Sequence, residues 1–286
     1  MLTPFNLPEI INELFSVSQL IPINQGTSGT SSTSGASGAG LFDLMTTTNE
    51  HFIVKVVSIS DPLESLKADV ALLKWLRGRV PVPRVVHFST IEGHDGTFFE
   101  IVIMEKLEGK DLKNWRRELD YETITKNYAL ALKGLHCVDP STCPVYVDLD
   151  QRIEDAQKRL LQGDVDCEDF EDAFRGFSGD ALLEKLRATK PSQLDLVVAH
   201  GDYCLDNLLV KEASDPHNTI HLTGFIDLGR GGVQDRYQDL ALAIRSVKKH
   251  LGPHLLPLFF EHYALVKLED LDEEKVHFFI LLDEFF

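Results

Sequence analysis

The sequence predicts an α+β fold: a small sheet-rich N-terminal part followed by a larger, mainly helical C-terminal part. Strand-type runs dominate from Val17 to Met104, and helical periodicity dominates from Asp111 onward. Runs of strands followed by runs of helices point to segregated layers rather than to alternating α/β units. The strand signals that recur in the second part flank one cluster of polar residues, Val197–Tyr237.

In chain order, Leu7–Phe15 spaces its apolar residues at helical intervals and Val17–Ile23 reads as a first strand. Gly26–Gly40 (GTSGTSSTSGASGAG) has the composition of a flexible linker, and its Thr27–Ser34 portion reads equally as an insertion. Its position ahead of two strands, Leu41–Met45 and His51–Ser58, supports a glycine-rich hairpin whose backbone N–H groups approach an anion closely. The second strand carries Lys55 between Val54 and Val56. On a buried face that lysine needs an anionic partner, although alternation equally allows it to face outward. A helix over Pro62–Leu76, capped near Asp61, comes next. PVPRVVHF (Pro81–Phe88) leads into a strand, and Phe98–Met104 is another. The boundary falls near Leu107, giving lobes 1–107 and 108–286.

Helical patterns follow at Asp111–Arg117, Tyr121–Cys137 and, after breaks at Pro140 and Pro144, Leu149–Leu161. Gly163–Phe174 is densely acidic with aromatic interleaving, readable as a solvated face or as a lid that captures ammonium groups. Leu194–Ala199, Leu208–Val210 and His221–Ile226 read as short strands. Asp235–His250 is helical, Glu261–Val266 continues another helix, and Asp272–Phe286 is an apolar helix ending in DEFF.

The polar cluster holds HGD at His200–Asp202, then Asn207, then DLGR at Asp227–Arg230. HGD alone is a turn. Two carboxylates and an amide, each at a strand end, can instead converge on one point. One carboxylate then accepts a hydroxyl proton, while the amide oxygen and the second carboxylate hold Mg²⁺ against a polyphosphate. An unperturbed Asp titrates at about 3.9, so Asp202 suits orienting a hydroxyl and taking its proton late.

HGD-x4-N followed by D-x-G-R resembles the aminoglycoside phosphotransferases. Together with PVPRV, DVDCE, GFIDLGR and a tail similar to that of the 3′-hydroxyl branch, the resemblance runs from about Leu41 onward. It implies a bilobal protein-kinase-like fold with a small antiparallel β lobe. Asp202 is then catalytic, and Asn207 and Asp227 hold two Mg²⁺. Lys55 meets the α- and β-phosphates of ATP, with GTP the alternative donor, and Ser37 contacts the phosphates from the glycine-rich loop. Asp69 stands where the family carries Glu and is one methylene shorter, so Glu64 is the fallback partner for Lys55. Glu105 and Leu107 form a hinge that reads adenine through backbone atoms, with Met104 at its back wall. Glu168, Glu171, Asp283, Glu284 and the carboxylate of Phe286 line the site of a cationic aminoglycoside, beside Arg230 and Arg245, and Asp239 pins the catalytic loop. The implied reaction is phosphorylation of an aminoglycoside hydroxyl, the 3′ position, conferring resistance.

Composition bounds these readings. The 286 residues suffice for one large domain or two small lobes. No apolar run approaches the ~20 residues of a membrane span. The start MLTPFNLPEIINELF lacks the basic region of a signal peptide. Cys137, Cys143, Cys167 and Cys204 show no CxxC spacing, which fits free thiols in a reducing cytoplasm. A net charge of −17 argues against nucleic acid and anionic lipid as partners and is compatible with a cationic ligand, although solubility alone accounts for it. A monomer or weak dimer is expected. Competing readings are a same-fold kinase for choline, fructosamine or a macrolide, a metallophosphoesterase using His217 and His221, and a non-catalytic nucleotide-binding module.

Overall fold

The computed structural model describes residues 11–12, 14–23, 40–59, 65–94, 96–168, 170–171, 173–213 and 220–286. Contacts divide the chain into two units, Met1–Lys74 with Pro83–Leu107 and Trp75–Val82 with Glu108–Phe286.

The first unit is built on strands β1 (Val17–Pro22), β2 (Gly40–Thr46), β3 (His51–Ser58), β4 (Val85–Glu92) and β5 (Phe98–Glu105). They form one antiparallel sheet in the order β1-β2-β3-β5-β4. Alternation along β3 sends Phe52, Val54 and Val56 to one face, where Leu44, Ile101 and Ile103 complete a core. Val57 and Val102 point to the other face and pack against Leu66 and Val70. Lys55 lies directly opposite Val102 in the register and so shares that second face.

Helix α1 (Lys67–Leu76) covers this face with Val70. Its start is fixed by Glu100, a fully buried acid within the apolar β5. Leu66 N donates to Glu100 Oε2 at 2.7 Å, Ser65 Oγ donates to the same oxygen at 3.0 Å, and the Lys67 ammonium lies 3.5 Å from Oε1. A carboxylate there satisfies orphan amides and complements the helix dipole. The expected start of this helix, at Pro62 with a cap at Asp61, and the fallback Glu64 lie outside the described residues.

The second unit carries the helices α2 (Tyr121–His136), α3 (Leu149–Gln162), α4 (Gly179–Ala188), α5 (Tyr237–His250), α6 (Leu256–Tyr263) and α7 (Glu273–Asp283). Asp120 caps α2 by accepting from Thr123 N, and Ile124, Tyr128, Leu132 and Leu135 form its buried stripe. Two small sheets sit among these helices. One joins β6 (Lys110–Asp111), β8 (Leu208–Glu212) and β9 (Ile220–Phe225); the other pairs β7 (Leu196–Ala199) with β10 (Gly232–Asp235).

Three expectations are corrected. Asp111–Arg117 is not an α-helix: Lys110 and Asp111 pair with β8, and the Asp111 carboxylate accepts from the Asn114 amide, leaving one 3₁₀ turn at Asn114–Arg117. The helix expected to continue through Val266 stops at Tyr263, where Ala264 turns left-handed with φ 58°. Asp235 ends a strand rather than opening a helix, and α5 begins at Tyr237. α4, capped by Ser178, carries no sequence expectation.

Candidate active site

The loop from β7 to β8 carries His200–Asp202, and its backbone is held by side chains from three directions. Asp239, in the first turn of α5 and fully buried, accepts from His200 N through Oδ2 at 2.7 Å and from Gly201 N through Oδ1 at 2.8 Å. Gln238 Nε2 donates to the Gly201 carbonyl at 3.1 Å. Tyr203 and Tyr128 of α2 stack at 4.6 Å, and the hydroxyl of each donates to the carbonyl of the other at 2.9 and 2.6 Å. The His200 ring closes the loop: Nδ1 accepts from Asp202 N at 3.3 Å, so Nε2 donates to the Ile226 carbonyl at 2.9 Å. Gly201 has φ +84°, and a Cβ there would lie 2.0 Å from the Arg230 carbonyl oxygen. The middle residue of HGD therefore has to be glycine.

Both oxygens of Asp202 are engaged. Asn207 Nδ2 donates to Oδ2 at 3.1 Å and to the Asp202 carbonyl at 2.8 Å, while Arg230 Nη2 pairs with Oδ1 at 3.1 Å. With its nitrogen so committed, Asn207 presents its amide oxygen as the end able to meet a cation. Ile226 N donates to the Asn207 carbonyl at 3.0 Å, and the next residue, Asp227, is exposed in the left-handed region at φ 59°. That conformation costs on the order of 1 kcal/mol and is one Asp tolerates. An amide oxygen and an exposed carboxylate are oxygen donors of the kind that could hold Mg²⁺ where substrate phosphates complete its shell.

Arg230 bridges Asp202 to Asp283, its Nη1 lying 2.9 Å from Asp283 Oδ1. Arg245 pairs with the other Asp283 oxygen and lies 3.5 Å from Glu171 and 3.7 Å from Glu284. Glu171 N donates to Glu284 Oε2 at 3.0 Å. Burial alone would raise the Asp283 carboxyl, but Arg230 and Arg245 outweigh it and hold the group below its usual range. Burial works against the Arg230 charge, yet Asp202, Asp283 and Asp227 together raise its pKa. Glu284 goes the other way: burial pushes it up to about 7, against the Glu171 amide and the Arg245 charge, which favour its ionised form. The expectation for the tail acids is that they line the site of a cationic ligand. Asp283 and Glu284 are 9% and 6% exposed and tied to guanidiniums, because acids buried this deeply need cationic partners. Glu168 stands apart, exposed, with its amide bonded to Asp166. Phe286 lies under Arg152 at 3.6 Å, and burial, with Arg230 nearby, lowers the pKa of that guanidinium to about 9.

In the first unit, Asp69 is 5% exposed in the first turn of α1, and Lys55 is half-buried on β3. Glu105 N donates to the Arg84 carbonyl at 2.9 Å and Lys106 N to that of His51 at 3.2 Å, so both amides serve the sheet. Leu107 is half-buried. Ser37 and His217 lie outside the described residues. Sequence reasoning missed Glu100, although an acid inside FFEIVIM was a signal for it. It also missed His136, Tyr263 and Arg152, which had none.

The model of the phosphotransferase enzyme family matches residues 34–278. An aminoglycoside 3′-phosphotransferase of Niallia circulans is 37% identical over 223 residues, covering 78% of this chain and 79% of the relative. One from Streptomyces fradiae is 35% identical over 226 residues, covering 77% and 80%. The crystal structure of a type VIII aminoglycoside-3′-phosphotransferase superposes with a TM-score of 0.78 at 29% identity, covering 98% of this chain and 97% of that one.

Proposed function

This chain belongs to the phosphotransferase enzyme family, and on that premise we propose that it transfers the γ-phosphoryl group of ATP to the 3′ hydroxyl of an aminoglycoside antibiotic, giving resistance. The observation that carries the assignment is the grip on Asp202, one carboxylate oxygen held by Asn207 and the other by Arg230. Asp202 orients the acceptor hydroxyl toward phosphorus and receives its proton late, as a loose transition state requires. Arg230 keeps the carboxylate turned to the acceptor. Asn207 and Asp227 hold Mg²⁺, which when bound neutralises charge on the phosphates.

Nucleotide binding falls to 1–107 and acceptor binding with catalysis to 108–286. Lys55, oriented by Asp69, meets the α- and β-phosphates, and Ser37 covers them. With the Glu105 and Lys106 amides taken by the sheet, adenine is read by the Glu105 carbonyl and the Leu107 N–H. Glu168 and Glu171 meet ammonium groups of the acceptor, while Asp283, Glu284 and Phe286, braced by Arg245, shape its pocket. No helix among the described residues is long and apolar enough to cross a membrane. The enzyme works in the cytoplasm as a monomer or weak dimer, with neither nucleic acid nor membrane as partner.

A coupled ADP-release assay over kanamycin, choline and fructosamine, followed by mapping of the phosphorylated hydroxyl, tests the reading; turnover confined to choline or fructosamine refutes it. Asp202→Ala is expected to keep nucleotide binding and lose about 10²–10⁴-fold in kcat, the range of a general base. Undiminished turnover would remove Asp202 from its role.

A further inference from the structure

Behind the catalytic loop lies a line of buried polar groups that the transfer step does not touch. Asp239 Oδ2, which accepts from His200 N, also lies 3.0 Å from His136 Nε2. The other ring nitrogen, Nδ1, lies 2.7 Å from the Tyr263 hydroxyl, and Arg236 Nη1 donates to that hydroxyl oxygen at 3.2 Å. Arg236 is itself paired with Asp195, immediately ahead of β7. The His136 and Asp239 side chains are wholly inaccessible to solvent.

With a neutral imidazole, only one arrangement of protons satisfies every link. Ionised Asp239 can only accept, so His136 must carry its proton on Nε2. Nδ1 is then an acceptor and takes the Tyr263 O–H. The phenol oxygen, having given its proton, accepts from Arg236. Burial pushes the Tyr263 phenol well above its ordinary range, which keeps it a donor. From Arg236 to Asp239 every bond therefore points the same way, and the loop amides of His200 and Gly201 donate to Asp239 from the other side.

We infer that His136 and Tyr263 are positioning residues for the phosphoryl transfer: the Tyr263 hydroxyl locks the His136 tautomer, and His136 Nε2–H holds Asp239 against the His200 and Gly201 amides that set Asp202. Without the hydroxyl, the Nδ1–H tautomer competes, and its bare Nε2 faces the carboxylate lone pairs of Asp239. Asp239 then shifts, its two amide bonds loosen, and Asp202 loses its fixed aim. The inference rests on the reading of Asp202 as proton acceptor.

Three measurements on the full chain test it. Imidazole ¹⁵N NMR of the wild-type protein is expected to find His136 neutral with the proton on Nε2; an Nδ1–H tautomer or an imidazolium overturns the proposal. Tyr263→Phe removes one oxygen and keeps the ring stacked on Phe259. It is expected to speed amide exchange at His200 and Gly201 and to lower kcat about tenfold, with the KM values for ATP and acceptor unchanged within about twofold; a tenfold loss corresponds to ~1.4 kcal/mol in the barrier. His136→Gln, which supplies one donor and one acceptor, is expected to retain more kcat than His136→Leu. Unchanged exchange and kcat in Tyr263→Phe, or equal losses in the two His136 variants, refute the proposal. Exchange and tautomer are read without turnover, so they decide this inference even if the Asp202 assignment fails on its own test.

Discussion

Glu284 makes stability depend on pH in the direction opposite to an ordinary ion-paired acid. Its carboxyl goes from 4.5 when free up to about 7 in the fold, because burial opposes its charge and outweighs the Glu171 amide and Arg245. Below the free value both states hold the proton and the group contributes nothing to pH dependence. Between those two values the unfolded chain releases the proton first, so native stability falls as pH rises. Above the folded value the penalty is complete. Each unit is worth ~1.4 kcal/mol, which sets an upper bound of ~3 kcal/mol. Glu284→Gln cannot ionise, and its amide oxygen can still accept from Glu171 N. The variant is expected to exceed the wild type by under ~1 kcal/mol at pH 5 and by ~1–3 kcal/mol at pH 8. Urea unfolding at pH 5, 6.5 and 8 and fixed ionic strength measures this. A variant less stable at pH 8, or offset equally at all three values, would mean that the Arg245 pair outweighs burial and would refute the reasoning.

Two further substitutions probe the same loop and its brace. Gly201→Ala puts a Cβ 2.0 Å from the Arg230 carbonyl at φ +84°, so ~2 kcal/mol or more of stability should be lost, and kcat should fall further than thermal unfolding explains; an active, stable variant would show that the loop can shift. Asp283→Asn removes the charge that braces Arg230 and Arg245. Charge-assisted bonds are worth ~1.5–3 kcal/mol, so kcat should drop about 10–100-fold with a raised acceptor KM; a change confined to KM would separate Asp283 from the aim of Asp202.

HGD, Asn207 and DLGR were legible because the chemistry demands those residue types and short spacing brings them together in the sequence itself. The face of Lys55 was not legible, since period-two alternation fixes faces only relative to one another. The register opposite Val102, with α1 packed over it, supplies the missing reference. The segment at Asp111 misled because its apolar spacing suits a helix, while its backbone is claimed by β8. His136 could not be found at all, as its partners lie 103 and 127 residues away and helix packing alone brings them near.

The overall charge of −17 and the local charge at the site do different work. A diffuse negative field raises the local concentration of a cation and is screened within about 8 Å at physiological salt; it cannot choose a hydroxyl. Choice requires fixed geometry, and there acids and guanidiniums are interleaved rather than massed. Asp283 is held between Arg230 and Arg245, and Arg230 in turn holds Asp202. Asp283 is thus connected through one guanidinium to Asp202. An ammonium drawn to Asp283 would compete with Arg230 for the same carboxylate, so under the proposed function acceptor recognition and the aim of Asp202 would be coupled by charge. The more exposed acids are Glu171, which lies 3.5 Å from Arg245, and Glu168.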